Sequence, residues 1–84
     1  TLNPGHRMNY HSHARRDEVW TVISGRGYAI VDGVKTIVQA GDVVKMPAGS
    51  RHTIVADTEL KVMEVQLGRD ISVHDKEKFP FPEV

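Results

Sequence analysis

The chain has 84 residues, enough for one domain with a marginal core, since a chain of this size buries only roughly 60% of the surface it exposes when unfolded. It contains no cysteine, which excludes disulfides and thiolate metal sites, so a metal held by other ligands, a partner subunit or both is the expected compensation. Lys+Arg and Asp+Glu each number 11, a balance that gives no pull toward nucleic acid or an anionic membrane surface.

No apolar run approaches the ~20 residues of a membrane span, and no basic, apolar, small-residue leader opens the chain. Because the chain starts on Thr1 rather than Met, its native start is expected upstream. A cytoplasmic location is the default expectation. Alternation of apolar and polar residues, or runs of β-branched ones, predicts strands at residues 7–11, 18–24, 28–32, 34–39, 43–46, 52–56 and 60–67. Turn residues separate them: Gly25-Arg26-Gly27, Asp32-Gly33, Ala40-Gly41-Asp42, Pro47-Ala48-Gly49 and Asp57-Thr58-Glu59. Asp32-Gly33 suits a two-residue hairpin, because both residues tolerate positive φ. Many short strands so spaced predict an all-β antiparallel sandwich or barrel, and no helical stripe precedes residue 70. Residues 70–84 read as a tail, in which 71–78 suits a short turn or helix. Phe79-Pro80-Phe81-Pro82 is then extended, since each proline disfavours helix in the residue before it. Its two phenylalanines are expected to pack on the barrel or on a partner subunit. Residues 1–84 thus read as one domain without internal repeat or linker.

The residues with the most chemistry are histidines and one glutamate. His11 and His13 are two apart, which on a strand puts both imidazoles on one face. Glu18 follows after a tight turn and begins the next strand; His52 opens a later one, just past Pro47-Ala48-Gly49. Three imidazoles and a carboxylate suit one divalent ion (Zn, Mn, Fe or Ni) with positions left for water or substrate. A His-x-His pair alone is weak evidence, because most such histidines face solvent. The wider spacing is stronger. Gly5, five residues, His11, one, His13, four, Glu18, six, Gly25 is followed by Gly41, five, Pro47, one, Gly49, two, His52. With five His in 84 residues, three prescribed positions would all be His on the order of once in five thousand random arrangements.

These two runs resemble the paired motifs of the cupins, at every defined position save one. Ala56 stands where the second motif normally ends in Asn, which is not a metal ligand in the pattern, so the site survives and only a local hydrogen bond is in question. The resemblance implies a double-stranded β-helix, a small jelly-roll barrel of antiparallel sheets, around a metal held by His11, His13, Glu18 and His52. Within the cupins the chain looks most like the C-terminal domain of type II mannose-6-phosphate isomerases, often fused to a mannose-1-phosphate guanylyltransferase. The residues that carry this run from Pro4 to about Ser72: Pro4-Gly5, Arg16-Asp17-Glu18-Val19-Trp20, Val22-Ile23-Ser24-Gly25, Asp32-Gly33, Pro47-Ala48-Gly49, His52 and Glu64-Val65-Gln66. It departs at His11, where that family commonly has Gln, and in the tail, which lacks the family's acidic ending. The guanylyltransferase part is absent, so no nucleotidyl transfer is expected.

If His11 and His13 point inward, period two points Arg7 and Asn9 inward as well, and Glu18, Trp20 and Val22 share the inner face of the next strand. Arg7 is therefore a candidate to grip a phosphate or carboxylate with its planar fork, against the alternative of an ion pair at the barrel mouth. Trp20 is either a substrate platform or core filler. In residues 60–67 one face carries Lys61, Met63, Val65 and Leu67 and the other Val62, Glu64 and Gln66. The apolar set is expected to face core, while the resemblance favours pocket roles for Glu64 and Gln66. Lys45 reads as an exposed strand-edge residue, against the alternative of a pocket cation, and His6 as exposed; His74 has no partner visible in sequence, Arg15-Arg16 reads as a solvated turn, and Gly25-Arg26-Gly27 as a hairpin rather than a phosphate loop.

Three functions compete. The leading one is aldose–ketose isomerisation of a sugar phosphate, with the metal as Lewis acid and Glu64 as candidate for moving the proton between carbons 1 and 2. The others are an Fe(II) dioxygenase, which the same ligand set suits, and a non-catalytic module that binds a small molecule. A homodimer is expected in each case, since open sheet edges and a small core favour pairing.

Overall fold

The computed structural model describes residues 1–69, 72 and 74–82, and every regular element among them is a strand. In chain order these are β1 (His11–Ser12), β2 (Asp17–Ser24), β3 (Arg26–Val31), β4 (Val34–Gln39), β5 (Val43–Met46), β6 (His52–Ala56), β7 (Lys61–Leu67) and β8 (Glu77–Lys78). They pair antiparallel throughout, in one sheet ordered β4-β3-β6-β1-β8 and another ordered β5-β2-β7. This is a small all-β jelly roll. Among the described residues no helix is long and apolar enough to cross a membrane.

Period-two patterning decides which face each strand buries. On β2, Glu18, Trp20 and Val22 are buried while Val19, Thr21 and Ile23 lie on the outer side. The core between the sheets gathers Trp20 and Val22 with Ala29, Val38, Met46, Ile54, Ala56 and Leu60. β6 is buried along its whole length, between β3 and β1. Asp32 and Gly33 join β3 to β4 with φ of 49° and 80°, the left-handed pair a two-residue hairpin needs. Gly25, before β3, has a positive φ of 86° and is also held by close approach: a Cβ there would lie 1.9 Å from the Glu59 carbonyl oxygen.

Three expectations need correction. The strand expected at 7–11 is reduced to His11–Ser12, with Arg7 touching Val55 through a single bridge. Of the short turn or helix expected at 71–78, the described residues show the turn at His74, followed not by helix but by a strand, since Glu77–Lys78 pairs with β1; Ile71 and Val73, on which part of the helical expectation rested, lie outside the described residues. Met63, Val65 and Leu67 face solvent at 57, 45 and 54% exposure instead of packing inward. The extended end after β8 folds back onto the barrel: the Phe79 and Phe81 rings lie 6.4 and 6.5 Å from that of Tyr10, and the Phe79 N–H donates to the Tyr10 carbonyl at 2.8 Å.

Candidate metal centre

β1 and β6 bring the histidines together, because their register sets His11 directly opposite His52. His13 follows two residues on and keeps the face of His11. The ring centroids are 4.5 Å apart for His11 and His52, 4.8 Å for His11 and His13, and 5.5 Å for His13 and His52. All three are buried. Each turns Nδ1 toward a backbone carbonyl: His11 to Asn9 at 2.5 Å, His13 to Asp75 at 2.6 Å and His52 to Ser50 at 3.2 Å. A carbonyl only accepts, so Nδ1 carries the hydrogen and Nε2 is left with the lone pair, which on His13 faces Arg16 Nη2 at 3.1 Å. One potential ligand atom from each of the three lies within 4.8 Å of the others. Burial lowers the pKa of His11, and burial together with His11 lowers that of His52 to about 4. Both rings are therefore neutral near pH 7, the form that binds a metal.

Glu18 reaches the same pocket from β2. Its carboxylate lies 3.4 Å from His13 Nε2 and 3.7 Å from His52 Nε2. Both oxygens are engaged: Oε1 accepts from Trp20 Nε1–H at 3.0 Å and Oε2 from Arg16 Nε–H at 2.9 Å. The four residues expected as ligands thus converge, with the three imidazoles as the tightest group and the carboxylate beside them. Above them opens a cavity of about 520 Å³, within the range of small-molecule sites.

The sequence profile of the Cupin domain family matches residues 1–66. The chain is a cupin. No curated protein sequence matches it, but solved structures do. A protein predicted to be an oxalate decarboxylase from Thermotoga maritima superposes with a TM-score of 0.78 at 27% identity, over 81% of this chain and 61% of that one. A protein provisionally assigned as a sugar phosphate isomerase from Acidithiobacillus ferrooxidans gives 0.73 at 29% identity, over 82% and 47%. A salicylate 1,2-dioxygenase from Pseudaminobacter salicylatoxidans gives 0.72 at 21%, over 75% and 18%, a likeness of fold alone. This chain spans less than two thirds of the length of each.

A cation fits what this cupin offers. His52 Nε2 is fully buried and has no hydrogen-bond partner, a costly arrangement that an ion at the convergence point would relieve. Three buried imidazoles beside a carboxylate are donors that suit a divalent metal.

The cavity wall includes the residues considered for substrate contact or proton transfer: Arg7, Asn9, Trp20, Glu64 and Gln66. The pairing of β2 with β7 sets Gln66 opposite Glu18 and Glu64 opposite Trp20. Burial, then the charge of Glu18, raises the Glu64 pKa. The Trp20 indole is only 1% exposed and belongs mainly to the core. Arg7 also stacks its guanidinium 3.8 Å over the Phe81 ring.

Sequence reasoning missed Arg16, Asp75 and Lys76. Arg16 is no solvated turn residue: its side chain is 10% exposed and lines the cavity. The signal was present, since Arg16 is two residues before Glu18 and the parity rule that turns Arg7 inward turns it inward too. Asp75 and Lys76 left no such trace. Asp75 accepts from His13 through its carbonyl and from the Ala14 and Arg15 N–H groups, both at 2.8 Å, through its carboxylate. Those two N–H groups hold its pKa below the usual carboxylate value.

Proposed function

We propose that this cupin holds one divalent ion through His11, His13, His52 and Glu18 and interconverts aldose and ketose sugar phosphates, in the manner of the mannose-6-phosphate isomerases. The observation that carries the reading is the three-imidazole floor, each Nδ1 tied to a carbonyl, beneath a cavity walled by both cations and a carboxylate. An ion bound there would supply Lewis acidity toward a substrate carbonyl. Arg7 and Lys76 would attract the phosphate, Arg7 offering a bidentate fork. Asn9 and Gln66 carry amides suited to sugar hydroxyls. Glu64 would take the proton from carbon 2 and return it to carbon 1, and its raised pKa brings it closer to a working proton shuttle. Trp20 would act through its hydrogen bond to Glu18 more than by touching substrate.

Mannose-6-phosphate and fructose-6-phosphate, incubated with the protein and Zn or Mn, should interconvert. No turnover with any divalent metal rejects the isomerase. Elemental analysis after purification without chelating resin should find Zn or Mn at about one ion per chain. Iron accompanied by oxygen consumption would instead favour a dioxygenase, and ligand-dependent melting without turnover a binding module.

We infer also that two copies pair through the outer face of the β5-β2-β7 sheet. Ile23, Val43, Met63, Val65 and Leu67 are each 45–57% exposed there, on strands in direct register, and such a contiguous apolar face is unusual for a monomer. Sedimentation should give a dimer for the native chain and a monomer for Met63→Glu. A native monomer ends this inference.

A further inference from the structure

The Arg16 guanidinium sits among the ligand atoms themselves. Its Nε–H donates to Glu18 Oε2 at 2.9 Å, its Nη2 lies 3.1 Å from His13 Nε2, and its Nη1 donates to the Ser72 carbonyl at 3.2 Å. Because His13 Nδ1–H is committed to Asp75, the His13 atom facing Arg16 is an acceptor. Arg16 thus occupies the lone pair of one imidazole and one oxygen of the carboxylate, two of the four groups proposed to bind the ion. A charge explains why. Glu18 is buried to 3% side-chain exposure, and a buried carboxylate requires a compensating cation.

We propose that Arg16 is an internal competitor of the metal, a tethered cation that holds Glu18 and His13 in the metal-free protein and must yield them before the ion is fully coordinated. The inference rests on the metal-binding reading above. A guanidinium hydrogen cannot share the His13 lone pair with an ion, and a divalent charge beside Arg16 is repelled by it. Metal affinity is therefore set lower than the four ligands alone would give. Arg16 released from those contacts remains at the cavity wall, with its fork free for an anion.

The test measures Zn affinity by competition with a chromophoric chelator, and melting after chelation, for the native chain, Arg16→Leu and Arg16→Lys. Leu keeps much of the bulk and no donor. Lys keeps the charge without the fork. Arg16→Leu should bind Zn about tenfold more tightly or better, as expected when charge-assisted hydrogen bonds no longer have to be broken, and should melt lower when metal-free. Arg16→Lys should fall between. The gain should shrink in a Glu18→Gln background, where the contested carboxylate is gone. Should Arg16→Leu not fold, the native chain and Arg16→Lys still decide: Lys must bind more tightly than Arg. Equal or weaker binding by the variants overturns the competitor while leaving the metal site standing. No binding by any of the proteins overturns the metal site and this inference with it.

Discussion

The floor of the site is built from β1, the residue that follows it and β6, which bury three imidazoles to 5% exposure or less, while much of the rim is built from β7 and the tail, where Glu64, Gln66 and Lys76 stay exposed. The floor is buried and held by backbone carbonyls; the rim is charged and more open to solvent. Loss of solvent, full on the floor and only partial around the Glu64 carboxyl, does opposite work in the two places. It pushes the His11 and His52 pKa values down, keeping those rings unprotonated, and it pushes the Glu64 pKa up, favouring a carboxyl that can exchange a proton. Each region can therefore be broken without the other.

The largest expected effect comes from the floor. His52→Ala should abolish stoichiometric metal binding, and truncating so large a buried side chain should also destabilise the fold by about 2–5 kcal/mol. Metal retained at native stoichiometry after chelator dialysis would show that His52 is not a ligand. The rim should respond differently. Glu64→Gln should leave metal content intact and lower the isomerisation rate by about 10²- to 10⁴-fold, the range for a lost general acid–base. A loss of metal in that variant would join rim to floor and spoil the distinction.

Much of the floor was legible because strands have period two and because glycine, proline and histidine fall at fixed spacings around them. Glu18 and Trp20 share the buried side of β2 as alternation requires, and Asp32-Gly33 makes its hairpin. On β7 the same logic misled. A strand with Met63, Val65 and Leu67 on one side and Glu64 and Gln66 on the other reads as apolar-inward, but at this level of the barrel the inside is a polar cavity. The tail was the least legible part. β8 has two residues, too few for any periodic signal, and its place is fixed by partners more than 60 positions away, such as Asp75 with His13 and Ala14.

That long-range contact yields a smaller effect that sharpens the comparison. Asp75 touches neither the cavity nor the convergence point, yet its carbonyl fixes the His13 ring and its carboxylate ties the following loop. Asp75→Ala frees the loop, lets the carbonyl wander and should weaken metal binding about ten- to a hundredfold without removing a ligand. Affinity equal to native would make the tail a mere cover.

The finest probe is pH, applied to chelated protein so that only the floor's own protons count. Unfolded histidine titrates near 6.5, whereas folded His52 does so at about 4 and His11 is shifted the same way. Between these values the unfolded chain binds protons that the folded chain refuses, so acidification favours unfolding. The stability concerned is present in full above about pH 6.5 and drains away as pH falls toward 4. For a domain of this size the melting temperature should drop by roughly 5 °C or more from pH 7 to pH 5. With metal bound the fall should be steeper, because protons and the ion then compete for the same nitrogens. A chelated protein that melts at the same temperature across that range, or higher in acid, would mean that the imidazoles are wet and the floor is no different from the rim.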